Sequence, residues 1–89
     1  MNAISLLAEF LGTFLLVMSI LATGNALVIG GTLGLLVLLL GGVSGAHLNP
    51  AVSMAMLLKG GMGTMEFVMY SIVQLTGGAA ALYAYQVLS

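Results

Sequence analysis

Residues 10–58 contain no Asp, Glu, Lys or Arg, and the whole chain carries only three such residues, Glu9, Lys59 and Glu66. A soluble domain devotes about a quarter of its positions to those types. Here the share is 3%, against 62% hydrophobic. The expected solvent is therefore lipid, and the chain reads as an integral, multi-pass membrane protein of a cell (inner) membrane. Residues 3–22, 26–43 and 67–88 are each long enough, as helices, to cross a hydrocarbon core of roughly 30 Å. Thr23-Gly24-Asn25 and Lys59-Gly60-Gly61-Met62-Gly63-Thr64 mark aqueous turns. The first 22 residues lack a basic n-region and are interrupted by Glu9, so they read as a span and not as a signal peptide. Eighty-nine residues make one domain at most.

The single proline, Pro50, follows Asn49 at the end of the long uncharged stretch. Asparagine is a strong helix N-cap, and proline suits the first helical position because its missing N–H is unsatisfied there anyway. A helix starting at Asn49-Pro50 is over by Lys59-Gly60-Gly61. Ten residues rise about 15 Å, half the depth of the hydrocarbon core. The second and third spans begin on opposite sides, so residues 44–58 must return to the side they came from, as a re-entrant loop and half-helix. Non-helical backbone at membrane depth survives only when buried in protein or lining a watery cavity. Gly45 and its neighbours thus imply an internal aqueous path. A half-helix also aims its positive dipole end at whatever passes, which points to a pore or carrier.

Few residues are equipped for chemistry. There is no Cys, and a net charge of −1 excludes a basic nucleic-acid surface. No ligands converge with His47, so no metal site is expected, and its reading lies between a hydrogen-bonding role in the loop and a proton shuttle. An ionisable group inside a span is costly and usually faces the protein interior. Glu9 has three readings: a structural acceptor for backbone N–H groups of the re-entrant loop, a proton-coupling acid, or a side chain close enough to the interface to reach water. Gln74 is expected to brace the loop or a neighbouring helix, whereas Lys59 and Glu66 are expected to be solvated at membrane edges. Gly30-x-x-x-Gly34 and Gly77-x-x-x-Ala81 have the spacing that lets helix backbones approach. The methionines, among them Met54, Met56, Met62, Met65 and Met69, read as lipid-facing or gap-filling bulk.

Three motifs together carry a resemblance. Ala8-Glu9-Phe10-Leu11-Gly12-Thr13-Phe14, Ser44-Gly45-Ala46-His47-Leu48-Asn49-Pro50-Ala51-Val52 and Tyr70-x-x-x-Gln74-x-x-Gly77 resemble the first half of an aquaporin-type channel, of the major intrinsic protein family. The resemblance implies an all-α fold of three transmembrane helices plus one re-entrant half-helix. Family members usually join two such halves, inverted relative to each other, and each half supplies an Asn-Pro-Ala half-helix. One half-helix cannot close a channel, so an inverted partner is implied: an antiparallel second copy, and by the family's habit a tetramer of such dimers. The implied activity is passive conduction of water and small neutral solutes such as glycerol, with no enzymatic step and no cofactor. Asn49, Pro50, Ala51, Gly45, Ala46, His47, Ile29 and Val52 are the implied pore-lining residues, and Glu9 and Gln74 the structural polar ones. Two departures stand out. Val52 occupies the place where the family's second half has a filter arginine, and Ile29 falls where water-selective members often have an aromatic. The alternatives are a small proton-coupled transporter using Glu9, one half of a heteromeric channel, and a non-conducting structural or membrane-permeabilising protein.

Overall fold

A computed structural model describes residues 2–89, which form four α-helices: α1 (Ala3–Thr23), α2 (Ala26–Ser44), α3 (Pro50–Lys59) and α4 (Thr64–Leu88). The starts follow from local chemistry. Asn2, Asn25 and Asn49 each place a side-chain oxygen on N–H groups of the first turn, at 2.7 to 3.0 Å. Such caps satisfy donors that have no intrahelical partner. Gly24, Gly45 and Gly60 end α1, α2 and α3 in the left-handed region that glycine enters without penalty. α1, α2 and α4 are long and apolar enough to cross a membrane, whereas α3 is not. The third long helix begins at Thr64, three residues before the expected 67. Gly63 supplies the extended residue before it, and Glu66 falls in its first turn, where a negative charge suits the helix dipole.

The distribution of polarity is inverted relative to a soluble protein. Leu27, Leu38 and Val87 are more than four-fifths exposed, while Glu9, Thr13, Ser44, Ser53 and Gln74 are buried. Lipid is a good solvent for the leucines. The interior is accordingly built on polar contacts and close backbone approach.

α1 is central, packing against α2 on one side and α4 on another, and α3 rests on α4. Gly77 shows how closely α1 and α4 approach: a Cβ there would lie 2.6 Å from the Phe10 carbonyl oxygen and 3.4 Å from the Phe14 nitrogen. Ala81, one turn further on, is fully buried. Gly12 likewise leaves room for Leu48 and Leu40, whose side chains a Cβ would strike. The pair Gly30 and Gly34 behaves differently. A Cβ at either meets nothing within 4 Å among the described residues. The expected close packing at this pair is therefore absent among the described residues, because α2 packs along α1 through another face, where Leu36 is buried, and meets α4 only at its end, where Tyr70 reaches the Ser44 carbonyl.

Because Gly77 abuts backbone and not a flexible side chain, Gly77→Ala should destabilise the protein by about 1–3 kcal/mol, the usual cost of overpacking. Gly78→Ala is the control, since its Cβ would stand 3.7 Å from Val17, an ordinary contact. Thermal unfolding in detergent, followed by helical circular dichroism, should show a lowered midpoint for the first variant only.

Candidate functional site: a re-entrant loop anchored on a carboxylate

After Ser44 the chain leaves α2 through Gly45 (φ 89°), Ala46 (φ 49°) and Leu48 (φ 56°). The left-handed region costs a non-glycine residue about 1–2 kcal/mol. What holds Ala46 and Leu48 there is the target of the loop's N–H groups. His47 N donates to Glu9 Oε2 at 3.0 Å, and Leu48 N donates to Glu9 Oε1 at 2.8 Å. Ser44 Oγ donates to Oε2 at 2.6 Å and also accepts from Ala46 N at 3.2 Å. Gln74 Nε2 donates to Oε1 at 2.8 Å. Glu9 is fully buried, and its two oxygens receive two donors each. Hydrogen bonds to a charged acceptor contribute about 1.5–3 kcal/mol each, enough in combination to hold the strained loop.

The same network fixes α3. Ser53, one turn past Asn49 and fully buried, accepts from Gln74 Nε2 at 3.0 Å and pairs with His47 Nδ1 at 2.8 Å. Tyr70 O–H donates to the Ser44 carbonyl at 2.7 Å, and its ring lies 5.1 Å from the His47 ring at a tilt of 55°. Leu48, 2% exposed, fills the notch left by Gly12. Side chains from α1 and α4 thus grip the loop from below, and its opposite face stays open.

On that open face lie Gly45, Asn49, Ala51 and Val52, all exposed, with His47 and Pro50 half-buried. Asn49 uses Oδ1 to cap Ala51 N at 2.7 Å, which leaves its Nδ2 hydrogens free of partners among the described residues. The Ala46 side chain is buried. Ile29 stands apart, because fifteen residues of helix separate it from Ser44 by about 22 Å. Ser53 and Ser44 are absent from the sequence-based set of site residues. Their signal was available: Ser53 lies four residues after Asn49, on the same side of the half-helix. Among the described residues no three His, Cys, Asp or Glu side chains converge as metal ligands. The assembly offers hydrogen-bond donors on a rigid support.

Replacing Glu9 by Gln exchanges one acceptor oxygen for an amide nitrogen that faces donors. Two donors then lose their acceptor, which predicts a loss of about 2–6 kcal/mol. Denaturation of purified Glu9→Gln in detergent should show it, along with reduced recovery of the folded protein.

Comparison with known proteins agrees with the loop, the half-helix and the three long helices. Residues 2–88 match the model of the family described as Major intrinsic protein. The chain is 40% identical over 84 residues to glycerol uptake facilitator protein-like 6 of Lactiplantibacillus plantarum, covering 84% of this chain and 39% of that one. It is 51% identical over 53 residues to aquaporin-8 of Rattus norvegicus, covering 60% and 20% respectively. With aquaporin-3 of Milnesium tardigradum the identity is 39% over 103 residues, covering 88% and 32%. No solved structure gives a significant match. The chain spans less than two-fifths of the length of each of these three relatives. A match running from residue 2 to residue 88 leaves no segment of consequence outside it, and the chain belongs to the Major intrinsic protein family.

Proposed function

We propose that the chain forms half of a passive channel for water and small neutral solutes such as glycerol, and that an antiparallel second copy supplies the other half. The observation that carries this reading is the exposed Asn49, whose side chain caps a half-helix and still has free amide hydrogens. Lipid cannot satisfy those hydrogens or the exposed backbone around Gly45, so protein and a line of water must cover them. In the antiparallel pair the two Asn49 amides meet near the midplane and donate to passing oxygens. The carbonyls of Gly45, Ala46 and His47 supply acceptors, and Pro50, Ala51, Val52 and Ile29 belong to the apolar wall. Two positive helix ends at the centre oppose cations and protons. With Val52 in place of a filter arginine, exclusion of ions rests on those dipoles. The printed names of the relatives, a glycerol uptake facilitator and two aquaporins, fit the same class of solute.

No covalent step enters this mechanism, and neither cofactor nor metal is needed. The pairs would assemble as a tetramer of dimers in a cell (inner) membrane. A proton-coupled transporter using Glu9 is disfavoured by geometry. Each carboxylate oxygen already takes two donors, so a carried proton would have to displace one. A heteromer with a separate second-half chain would restore the arginine, and a co-purifying chain would reveal it.

Stopped-flow shrinkage of vesicles holding only this chain tests the proposal. Water flux should exceed that of empty vesicles while the membrane stays tight to protons. Asn49→Asp should cut that flux at least several-fold and admit cations, because it places anions where two helix ends meet. Flux near the unmodified value, with cations still excluded, would remove Asn49 from the centre of the mechanism. Self-inversion has its own check. Lys59, the only Lys or Arg and exposed at the end of α3, gives a weak orientation bias. An impermeant amine reagent applied to one side of intact cells should therefore label it partially. Complete labelling from one side would sink self-pairing and call for a different partner chain.

A further inference from the structure

We infer that Tyr70 is a positioning residue for the open face of the loop, acting through the peptide between Ser44 and Gly45 and not on the solute. The inference rests on the channel reading above. Carbonyls in the last turn of a helix have no intrahelical partner. The final two of α2 are met by side chains from two different helices. Ser5 Oγ, on α1, donates to the Val43 carbonyl at 2.9 Å, and Tyr70 O–H, on α4, donates to the Ser44 carbonyl at 2.7 Å. Tyr70 is itself buried, 4% exposed. α2 packs along α1 and shares no packed face with α4. Among the described residues the phenol therefore makes the one hydrogen bond that joins α2 to α4.

Ser44 gives this bond its reach. The Ser44 carbonyl and the Gly45 N–H belong to one planar peptide. Tyr70 holds the carbonyl end, and at the other end Gly45 N donates to the Gly41 carbonyl at 3.1 Å. A plane held at both ends cannot swivel, which fixes the direction in which the chain enters Gly45 at φ 89°. The Ser44 hydroxyl meanwhile links Glu9 Oε2, at 2.6 Å, to Ala46 N, at 3.2 Å. A turn of Ser44 would therefore disturb the first loop N–H together with the oxygen that receives His47 N. The Val43 carbonyl has no such link, because valine carries no hydrogen-bonding side chain and the residue is 44% exposed. Two neighbouring carbonyls thus receive one hydroxyl each, and only one of them lies on the route to the loop.

Tyr70→Phe keeps the ring that lies against His47 and removes only the donor. Ser5→Ala removes the corresponding donor from the neighbouring carbonyl and is the comparison. In phosphatidylcholine vesicles Tyr70→Phe should lower water flux per inserted protein by about two- to tenfold, the worth of one neutral hydrogen bond. Ser5→Ala should leave that flux unchanged. Leu48 follows the only histidine, so ¹³C-carbonyl His and ¹⁵N Leu labelling isolates its N–H, which donates to Glu9. NMR should show that hydrogen exchanging with solvent faster, by the same factor, in Tyr70→Phe alone. Unchanged flux in Tyr70→Phe, or an equal loss in both variants, overturns the positioning role. Should Tyr70→Phe not fold, Tyr70→Gln and Tyr70→Met take its place, side chains of like length of which only the amide can donate to that carbonyl. Equal flux through those two overturns the role as well. An unmodified protein that conducts no water overturns the channel reading, and the Leu48 exchange rate then decides whether Tyr70 holds the loop.

Discussion

One buried carboxylate organises this molecule. Glu9 takes two donors on each oxygen, from the loop backbone at His47 and Leu48, from Ser44 at the end of α2, and from Gln74 on α4. Every segment that meets at the re-entrant loop is tied to it directly or through one intermediate. A carboxylate without donors in such a place would be prohibitively costly, and loop N–H groups without an acceptor would be nearly so. Each makes the other tolerable, which is why an α-helix can begin in the interior of an apolar chain.

The second constraint is the solvent. In lipid, burying leucine brings little, so the helices are joined by hydrogen bonds and by close backbone contact at Gly77. The molecule therefore has a polar, extensively hydrogen-bonded interior on the α1–α4 side, with the oxygens of Thr13, Ser71 and Gln74 left unpaired among the described residues. On the other side, α2 packs along α1 and meets α4 only where Tyr70 reaches the Ser44 carbonyl, and a Cβ at Gly30 or Gly34 would meet nothing within 4 Å among the described residues. The open face of the loop is likewise uncovered. Both features fit a unit that meets further protein in the membrane, in keeping with a chain that matches less than two-fifths of the length of its longer relatives.

The rigidity of the loop bears on what it can recognise. A loop backbone held by several hydrogen bonds to one carboxylate keeps its geometry, so in the proposed channel little ordering cost would fall on binding a solute. In the proposed channel an uncharged donor such as the Asn49 amide would also suit rapid transit, since it holds a passing oxygen without trapping it.

Much of this was legible in the residues themselves. Long runs without charge defined the three spans to within a few residues, because hydrophobic length is dictated by membrane thickness. Asn49-Pro50 and Lys59-Gly60 bounded the half-helix, because caps and breakers act locally and do not wait for tertiary contacts. Glu9, His47 and Gln74 stood out as polar groups with no local partner, and only the fold could say where each was satisfied. Ser44 reads in the sequence only as the start of the glycine-rich motif and Ser53 only as a residue on the Asn49 side of the half-helix, because a serine is ordinary until a neighbouring element brings an amide or a carboxylate to it. Gly30-x-x-x-Gly34 and Gly77-x-x-x-Ala81 look alike in sequence, yet one packs on α1 and the other stands open. Spacing places residues on a common face of a helix; which face meets a neighbour is decided by the packing of the whole chain, a non-local property that no single segment encodes.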